Sequence, residues 1–158
     1  MTVTTSAEQY NEDEEVLVVA ARAAWPLYQT LSAYLCQNHR FFRPVSRLAF
    51  YADRTIYPAY SRILARHDDV DVSERGAARL LLGVDAGARP RGRKIREVLA
   101  YGWEPQVLTM FELTGQDDPR TLHPAAPIRH NGRSGWTMGQ RYARLGDLMN
   151  AQTTDEFA

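Results

Sequence analysis

The chain of 158 residues has little cysteine and little lysine, and it lacks long apolar runs. Its one cysteine, Cys36, rules out an internal disulfide and a cysteine-rich zinc site, and we expect it to be a small buried apolar residue. No apolar run approaches the roughly 20 residues that cross a bilayer, so we expect no membrane partner. The acidic, polar N-terminus lacks the basic and apolar segments of a secretory signal, which favours a cytoplasmic location.

The sequence also lacks the signature motifs of several enzyme classes. It has no Gly-x-Ser-x-Gly elbow, phosphate loop or dinucleotide fingerprint. The four histidines are not paired at zinc-ligand spacing, and the only lysine, Lys94, is not in a Glu-x-Lys triplet of the nuclease type. We therefore predict no metal and no cofactor, and the sequence alone does not decide whether the protein is an enzyme.

What remains is the composition of one globular domain. Hydrophobic residues make up 44% and charged residues 24% of the chain, ordinary values for a folded protein. We predict a single α+β domain over residues 15–150, with a flexible acidic N-terminus (1–14) and a flexible C-terminal tail (151–158). Its sheet is expected to be compact and mainly antiparallel, or a small barrel, flanked by three to four helices.

Residues 43–70 are the predicted spine of the sheet. Two β-favouring runs, residues 48–51 and 55–57, flank the polar residues 52–54, which is typical of a hairpin. Beyond Pro58 the chain is interpreted as an edge strand or a helical piece, with Asp68-Asp69 as a turn. Further strands are predicted over residues 16–21 and 106–114. The expected core residues are Leu48, Phe50, Ile56, Val107, Leu108, Phe111 and Leu113.

Helices are predicted where apolar residues recur at helical spacing. The first covers residues 25–34, the second runs from its cap at Ser73 to Gly83, the third covers residues 93–101, and the last covers residues 140–149. Gly76 is expected to weaken the second helix by roughly 1 kcal/mol relative to alanine. Residues 85–92 are predicted to be an exposed, mobile loop, and residues 119–135 a long loop of the kind that is often functional.

The neutral net charge conceals a basic body. Residues 1–15 hold five acids and residues 153–158 hold two, with no Lys or Arg in either segment, so residues 16–152 carry a net charge of about +7. Eighteen of the 19 basic residues are arginine, which pairs bidentately with phosphate. A genome that favours arginine codons would explain the same bias.

The basic residues are concentrated in two places, each a candidate phosphate-binding surface. The first holds five bases within eight residues: Arg89, Arg91, Arg93, Lys94 and Arg96. The second lies in and after the long loop: Arg120, His123, Arg129, His130, Arg133, Arg141 and Arg144. A solvated basic loop without a partner explains the first run equally well.

Aromatic residues add a candidate pocket. Tyr51, Tyr57, Tyr60 and Trp136 are predicted to line it, since aromatic rings interleaved with arginine stack bases. The same pocket would suit another small aromatic ligand or a protein partner. A tryptophan after a loop is also more often a core anchor than a binding platform.

Acidic residues give a competing hypothesis, a metal-dependent nuclease or nucleotide-processing enzyme. Asp53 in the hairpin turn and Glu112 in the later strand are its candidate ligands, as are His67, Asp68 and Asp69. Such acids are equally typical of the solvated ends of a sheet.

The order of elements resembles the PUA-like superfamily, which includes the ASCH and EVE domains. The points of resemblance are the short aromatic strand Arg47–Tyr51 and the later strand Val107–Leu113. The resemblance implies a compact, mostly antiparallel barrel and binding of RNA or modified bases in a cleft. We therefore predict a domain that binds nucleic acid or a nucleotide without a metal, using the arginine-rich surface and the aromatic pocket.

Overall fold

The computed structural model describes residues 10–20 and 22–157, which form one eight-stranded sheet with four α-helices. The strands are β1 (Glu15–Ala20), β2 (Ala33–Gln37), β3 (Arg47–Ala52), β4 (Thr55–Ile56), β5 (Ser61–Val72), β6 (Gln106–Leu113), β7 (Ile128–Arg129) and β8 (Gln140–Arg144). The helices are α1 (Ala24–Leu31), α2 (Glu74–Leu81), α3 (Ala88–Ala100) and α4 (Leu145–Asn150). The α+β class is confirmed, with an open sheet in place of a barrel. The predictions for residues 1–9 lie outside the described residues.

The sheet is mostly antiparallel, as predicted. Its strand order is β2-β6-β5-β3-β1-β8, with β4 paired to β3 and to β7 at one side. Only the β1–β3 pair is parallel among the described strands. The chain leaves β1 through α1 and β2 before it returns as β3 beside β1, and this long crossover allows the two strands to run in the same direction.

The core lies on both sides of this sheet. One cluster is covered by α1 and contains Leu17, Tyr28, Leu48, Phe50 and Phe111. A second packs α2 and α3 against β5 and β6, and a third lies under α4 and the long loop. Of the predicted core residues, Leu48, Phe50, Ile56, Leu108, Phe111 and Leu113 are buried, whereas Val107 is 50% exposed. Val107 and Leu108 are successive residues of β6 and therefore point to opposite faces of the sheet. Leu108 points towards the helices, and Val107 points away from them.

Several local predictions are confirmed. Strands β1 and β6 and the hairpin of β3 and β4 lie where the pattern places them. The hydroxyl of Ser73 accepts a hydrogen bond from the Gly76 N–H at 3.0 Å, as a helix cap should. Cys36 is buried, and burial raises the pKa of its thiol to about 11, so it is a neutral apolar residue at pH 7.

The prediction of a turn at Asp68-Asp69, and of an edge strand or helix before it, is wrong. Strand β5 runs unbroken from Ser61 to Val72 between two neighbours, with a bulge between His67 and Val70. Asp69 takes a left-handed φ of 58° within this bulge. The sequence pattern did not indicate this strand, because a bulge breaks the alternation of apolar and polar residues that predicts a strand.

The terminal segment also differs from the prediction. Residues 140–144 are a strand, β8, antiparallel to β1, and only the part from Leu145 onwards is helical. The residues predicted as a flexible tail include a 3-10 turn, Thr154–Glu156, and a phenyl ring, Phe157, packed against Trp136. The tail therefore closes over the third core cluster.

Helix α3 begins at Ala88, so most of the predicted mobile loop is helical. Pro90 lies in its first turn, where a missing N–H leaves no hydrogen bond unmade. A Cβ at Gly92 would lie 2.9 Å from the Ala77 carbonyl oxygen and 2.9 Å from Leu81 Cγ, so this glycine allows close contact of α3 with α2. Glycine at position 92 is therefore explained by the close packing of two helices, and it does not indicate a loop.

Gly76→Ala is expected to destabilise the protein by about 1–3 kcal/mol, the cost of overpacking, although alanine is the better helix former. An added Cβ would overlap the Asp71 carbonyl oxygen and lie 2.8 Å from Asp71 Cβ. Urea unfolding of the variant measures this. Ala78→Gly, two residues away on the same helix, is the control for helix propensity alone and should cost about 1 kcal/mol. Unchanged or increased stability of Gly76→Ala would contradict the steric account.

Candidate nucleic-acid interface

The arginine-rich segment forms the outer side of α3. Arg89, Arg93 and Arg96 are exposed, whereas Arg91 and Lys94 are half-buried and turn towards the sheet. Of the exposed three, Arg96 lies 3.5 Å from the carboxylate of Glu74 in α2, and both side chains of this pair are more than half exposed. Such a surface pair contributes little and is readily exchanged for another anion. The structure therefore presents these guanidiniums to solvent on a rigid helix instead of a mobile loop.

Beside this helix lies a cleft of about 240 Å³ between β5, α2 and α3. Its lining residues are His67, Asp68, Asp69, Val70, Asp71, Gly76, Arg79, Leu80 and Arg91. Two arginines from two helices thus face one concave surface. Arg79 was not among the predicted site residues, because nothing in the sequence of α2 indicates that it shares a cleft with α3.

Two aspartates of the cleft are held by β6 and by the loop that follows β2. The Thr109 hydroxyl donates to Asp68 at 2.6 Å, and the Asn38 amide donates to Asp69 at 2.9 Å. His39 approaches the Asp69 carboxylate at 2.8 Å. These hydrogen bonds lower the pKa of both carboxyl groups, so both are charged at neutral pH.

A half-buried trio of charged groups lies where β5, β6 and α3 meet. Nε2 of His67 is 2.8 Å from Oε2 of Glu112, and Nζ of Lys94 is 4.0 Å from Oε1 of the same carboxylate. The three side chains are 28%, 19% and 22% exposed. Burial lowers the pKa of Lys94, an effect that the nearby Glu112 charge opposes. The carboxylate is thus bound by two basic groups from different elements.

The second predicted arginine group is spread over the long loop and β8. Arg129 and Arg133 are exposed, and His130 is held between the Thr154 hydroxyl at 2.7 Å and the Ser134 carbonyl oxygen at 2.8 Å. The guanidinium of Arg141 lies 4.4 Å from the ring centroid of Trp136. These residues support the loop structure, and no hydrogen bond or salt bridge joins them to α3 among the described residues.

The acidic N-terminal segment covers part of this second group. Asp13 pairs with Arg144 at 2.7 Å, and Glu15 pairs with Arg43 at 3.2 Å. In the long loop itself, Arg120 binds Asp118 at 2.8 Å and keeps the pKa of that carboxyl at about 2. Acids 13–15 therefore neutralise arginines away from α3.

The predicted aromatic residues do not line one open pocket. Tyr51, Tyr60 and Trp136 belong to one buried cluster, where the Tyr60 hydroxyl donates to the Leu148 carbonyl oxygen at 2.8 Å. Tyr57 stacks instead on Trp25, with ring centroids 4.5 Å apart, beside a different cluster. The binding role of these rings stays a prediction, and their observed packing is that of a core.

An aromatic and arginine surface that the sequence reasoning missed lies in the segment between β2 and β3. Phe41 is 77% exposed, and the Arg66 guanidinium lies over the rings of Phe42 and Phe111 at 5.6 and 5.4 Å. The Arg43 guanidinium lies 3.8 Å from the ring centroid of Tyr142. The run Arg40-Phe41-Phe42-Arg43 is the feature of the sequence that could have indicated this surface.

The acids of the nuclease hypothesis are engaged separately. Asp53 in the hairpin turn pairs with exposed Arg22 at 3.6 Å, whereas Glu112 binds the trio described above. No group of three or more His, Cys, Asp or Glu residues in the described part of the chain is arranged to hold a metal ion. No helix among residues 10–20 and 22–157 has the length and apolar character needed to cross a membrane.

Comparison of the chain with family models, with characterised proteins and with solved structures finds no match.

Proposed function

We propose that this protein binds nucleic acid or a nucleotide through the basic side of α3 and the adjoining cleft. The observation that carries the proposal is the placement of Arg89, Arg93 and Arg96 on one exposed helical stripe. The stripe spans eight residues, and the seven steps between Arg89 and Arg96 rise about 10 Å at 1.5 Å per residue. A stacked strand that rises 3.4 Å per nucleotide would place about three phosphates along it.

The cleft adds a second basic surface on the sheet side of α3. Arg91 lies about half a helical turn from the stripe and lines the cleft together with Arg79. The cleft therefore offers a phosphate, base or sugar a concave, partly apolar site on the side of α3 opposite the stripe. The resemblance of Arg47–Tyr51 and Val107–Leu113 to strands of the PUA-like superfamily supports the same class of ligand.

Binding is expected to weaken by about 100-fold when salt is raised from about 50 to 200 mM, given three to five phosphate contacts. Fluorescence anisotropy with labelled 20-nucleotide RNA and DNA, single-stranded and duplex, measures this affinity. The four ligands show whether the site prefers ribose or deoxyribose and one strand or two. Absence of binding at 50 mM salt, or an affinity that is insensitive to salt, would contradict the proposal.

A further inference from the structure

His67 lines the proposed binding cleft, and its partner Glu112, which also lies near Lys94, is next to it outside the lining. We infer that His67 is the general base of an RNA-cleaving site in this cleft, and that Glu112 positions its ring. This inference rests on the proposed function and deepens it by naming RNA as the substrate and a phosphodiester as the reacting group.

The hydrogen bond to Glu112 determines which ring nitrogen of His67 is basic. A carboxylate only accepts hydrogen bonds, so Nε2 of neutral His67 carries the proton and donates it at 2.8 Å. Nδ1 then holds the lone pair, and this nitrogen has no hydrogen-bond partner among the described residues. His67 is one of the residues that line the cleft. A carboxylate that fixes the tautomer of a histidine in this way is a recurring element of general-base catalysis.

The proton that His67 removes has to come from the ligand or from water. The residues that line the cleft include no serine, threonine or cysteine, so they supply no hydroxyl or thiol from which His67 could remove a proton. RNA brings its own nucleophile, the 2′-hydroxyl, next to each phosphorus atom, where attack within one molecule is strongly favoured over attack from solution. DNA lacks this group and is expected to be bound without being cleaved.

The reaction is a transesterification that balances without an oxidant, a reductant or a protein nucleophile. Nδ1 of His67 takes the 2′-hydroxyl proton as the 2′-oxygen forms a bond to phosphorus. The bond from phosphorus to the 5′-oxygen breaks, and the leaving oxygen takes a proton from solvent. The products are a 2′,3′-cyclic phosphate and a free 5′-hydroxyl. Arg79 and Arg91 are the groups in the cleft that would stabilise the negative charge on the phosphoryl oxygens.

The acidic groups of the cleft limit where a phosphate can lie. Asp68 and Asp69 are bound by Thr109, Asn38 and His39, and Arg66 contacts Asp68 at 3.1 Å. Asp71 lines the cleft without a side-chain partner among the described residues. The charged groups that line the cleft are therefore Asp68, Asp69, Asp71, Arg79 and Arg91. A phosphate is placed towards the two arginines, and Asp71→Asn should increase the rate of cleavage by removing a repulsive charge.

The test is the incubation of the full chain with 5′-labelled 20-nucleotide RNA in EDTA, which inactivates contaminating metal-dependent nucleases. The expected product ends in a 2′,3′-cyclic phosphate, and a substrate with deoxyribose at the cleaved position stays intact. His67→Gln should lower the rate at least 100-fold, in the range typical for loss of a general base. Met138→Gln, a change at a side chain that is 95% exposed and lies outside the cleft, is the control and should keep the full rate.

Glu112→Gln tests the positioning role. It should lower kcat with little change in KM, because the carboxylate orients the imidazole without touching RNA. Circular dichroism of each variant checks that it is folded. If His67→Gln does not fold, His67→Asn replaces it in the test. Anisotropy separates the two proposals. RNA binding without cleavage, equal cleavage by His67→Gln, or binding of DNA but not of RNA overturns this inference alone. Absence of binding to both RNA and DNA overturns the proposed function.

Discussion

Arg47→Ala is expected to lower the free energy of unfolding by about 3–5 kcal/mol, the typical cost of breaking a buried ion pair from one side. The Arg47 side chain is 5% exposed, and its Nη1 donates to the carbonyl oxygens of Tyr60 at 3.1 Å and Arg120 at 2.8 Å. Its Nε lies 3.5 Å from the Glu14 carboxylate. Alanine would leave the Arg120 carbonyl oxygen and the Glu14 carboxylate without a partner among the described residues, so the start of β3 would lose its side-chain link to the long loop.

Urea unfolding of the parent protein and of Arg47→Ala measures this loss of stability. Arg96→Ala is the matched control, because it removes an exposed arginine with a surface partner and should cost less than about 1 kcal/mol. Burial lowers the pKa of Arg47, yet an arginine side chain stays charged at neutral pH, so the whole effect should be present at pH 7. A cost below 1 kcal/mol for Arg47→Ala would show that the buried pair contributes no more than a surface pair.

Trp136→Ala is expected to destabilise the protein by about 3–5 kcal/mol, as the loss of a large core ring does. Trp136 is 8% exposed, and its ring centroid lies 5.8 Å from that of Tyr51 and 5.6 Å from that of Phe157. Its backbone N–H donates to the Tyr51 hydroxyl at 3.0 Å. The ring therefore connects the long loop to β3 and to the C-terminal turn.

This substitution also distinguishes the two interpretations of the aromatic residues. If Trp136 is a core anchor, the folded variant should bind RNA and DNA within about threefold of the parent affinity. If Trp136 stacks on a base, the variant should lose about 1–3 kcal/mol of binding energy with little loss of stability. Urea unfolding and anisotropy of Trp136→Ala, with Trp136→Phe as the milder change, decide between these outcomes.

The sequence predicted elements whose signals are local and missed those that depend on distant partners. Strand β6 and the Ser73 cap each lie within a few residues of the pattern that indicates them. Strand β8 was assigned to a helix because Tyr142, Leu145 and Leu148 fit helical spacing, whereas its real partner, β1, lies more than 120 residues earlier. The spacing of apolar residues within a short segment does not show which distant strand that segment will pair with.

In the candidate site, too, the residues that are close in sequence were predicted and those brought together by the fold were missed. The basic residues of α3 were found because they are adjacent in the sequence. The trio of His67, Lys94 and Glu112 was not, since its members come from three elements and meet only through packing of α3 on the sheet. The bulge in β5 hid the strand that carries His67. Glu112 was identified as a candidate functional acid, but its partners were not foreseen.

The dependence of affinity on salt tests the central proposal, binding through the basic side of α3, most directly. The three exposed arginines, Arg89, Arg93 and Arg96, are replaced together by glutamine, which keeps a good helix propensity. The charge-matched control replaces three exposed arginines outside α3, namely Arg22, Arg120 and Arg144. The proposal predicts that the slope of log K against log salt flattens by about one unit per lost contact in the α3 variant and stays unchanged in the control. Equal slopes for the α3 variant and the parent protein would contradict it.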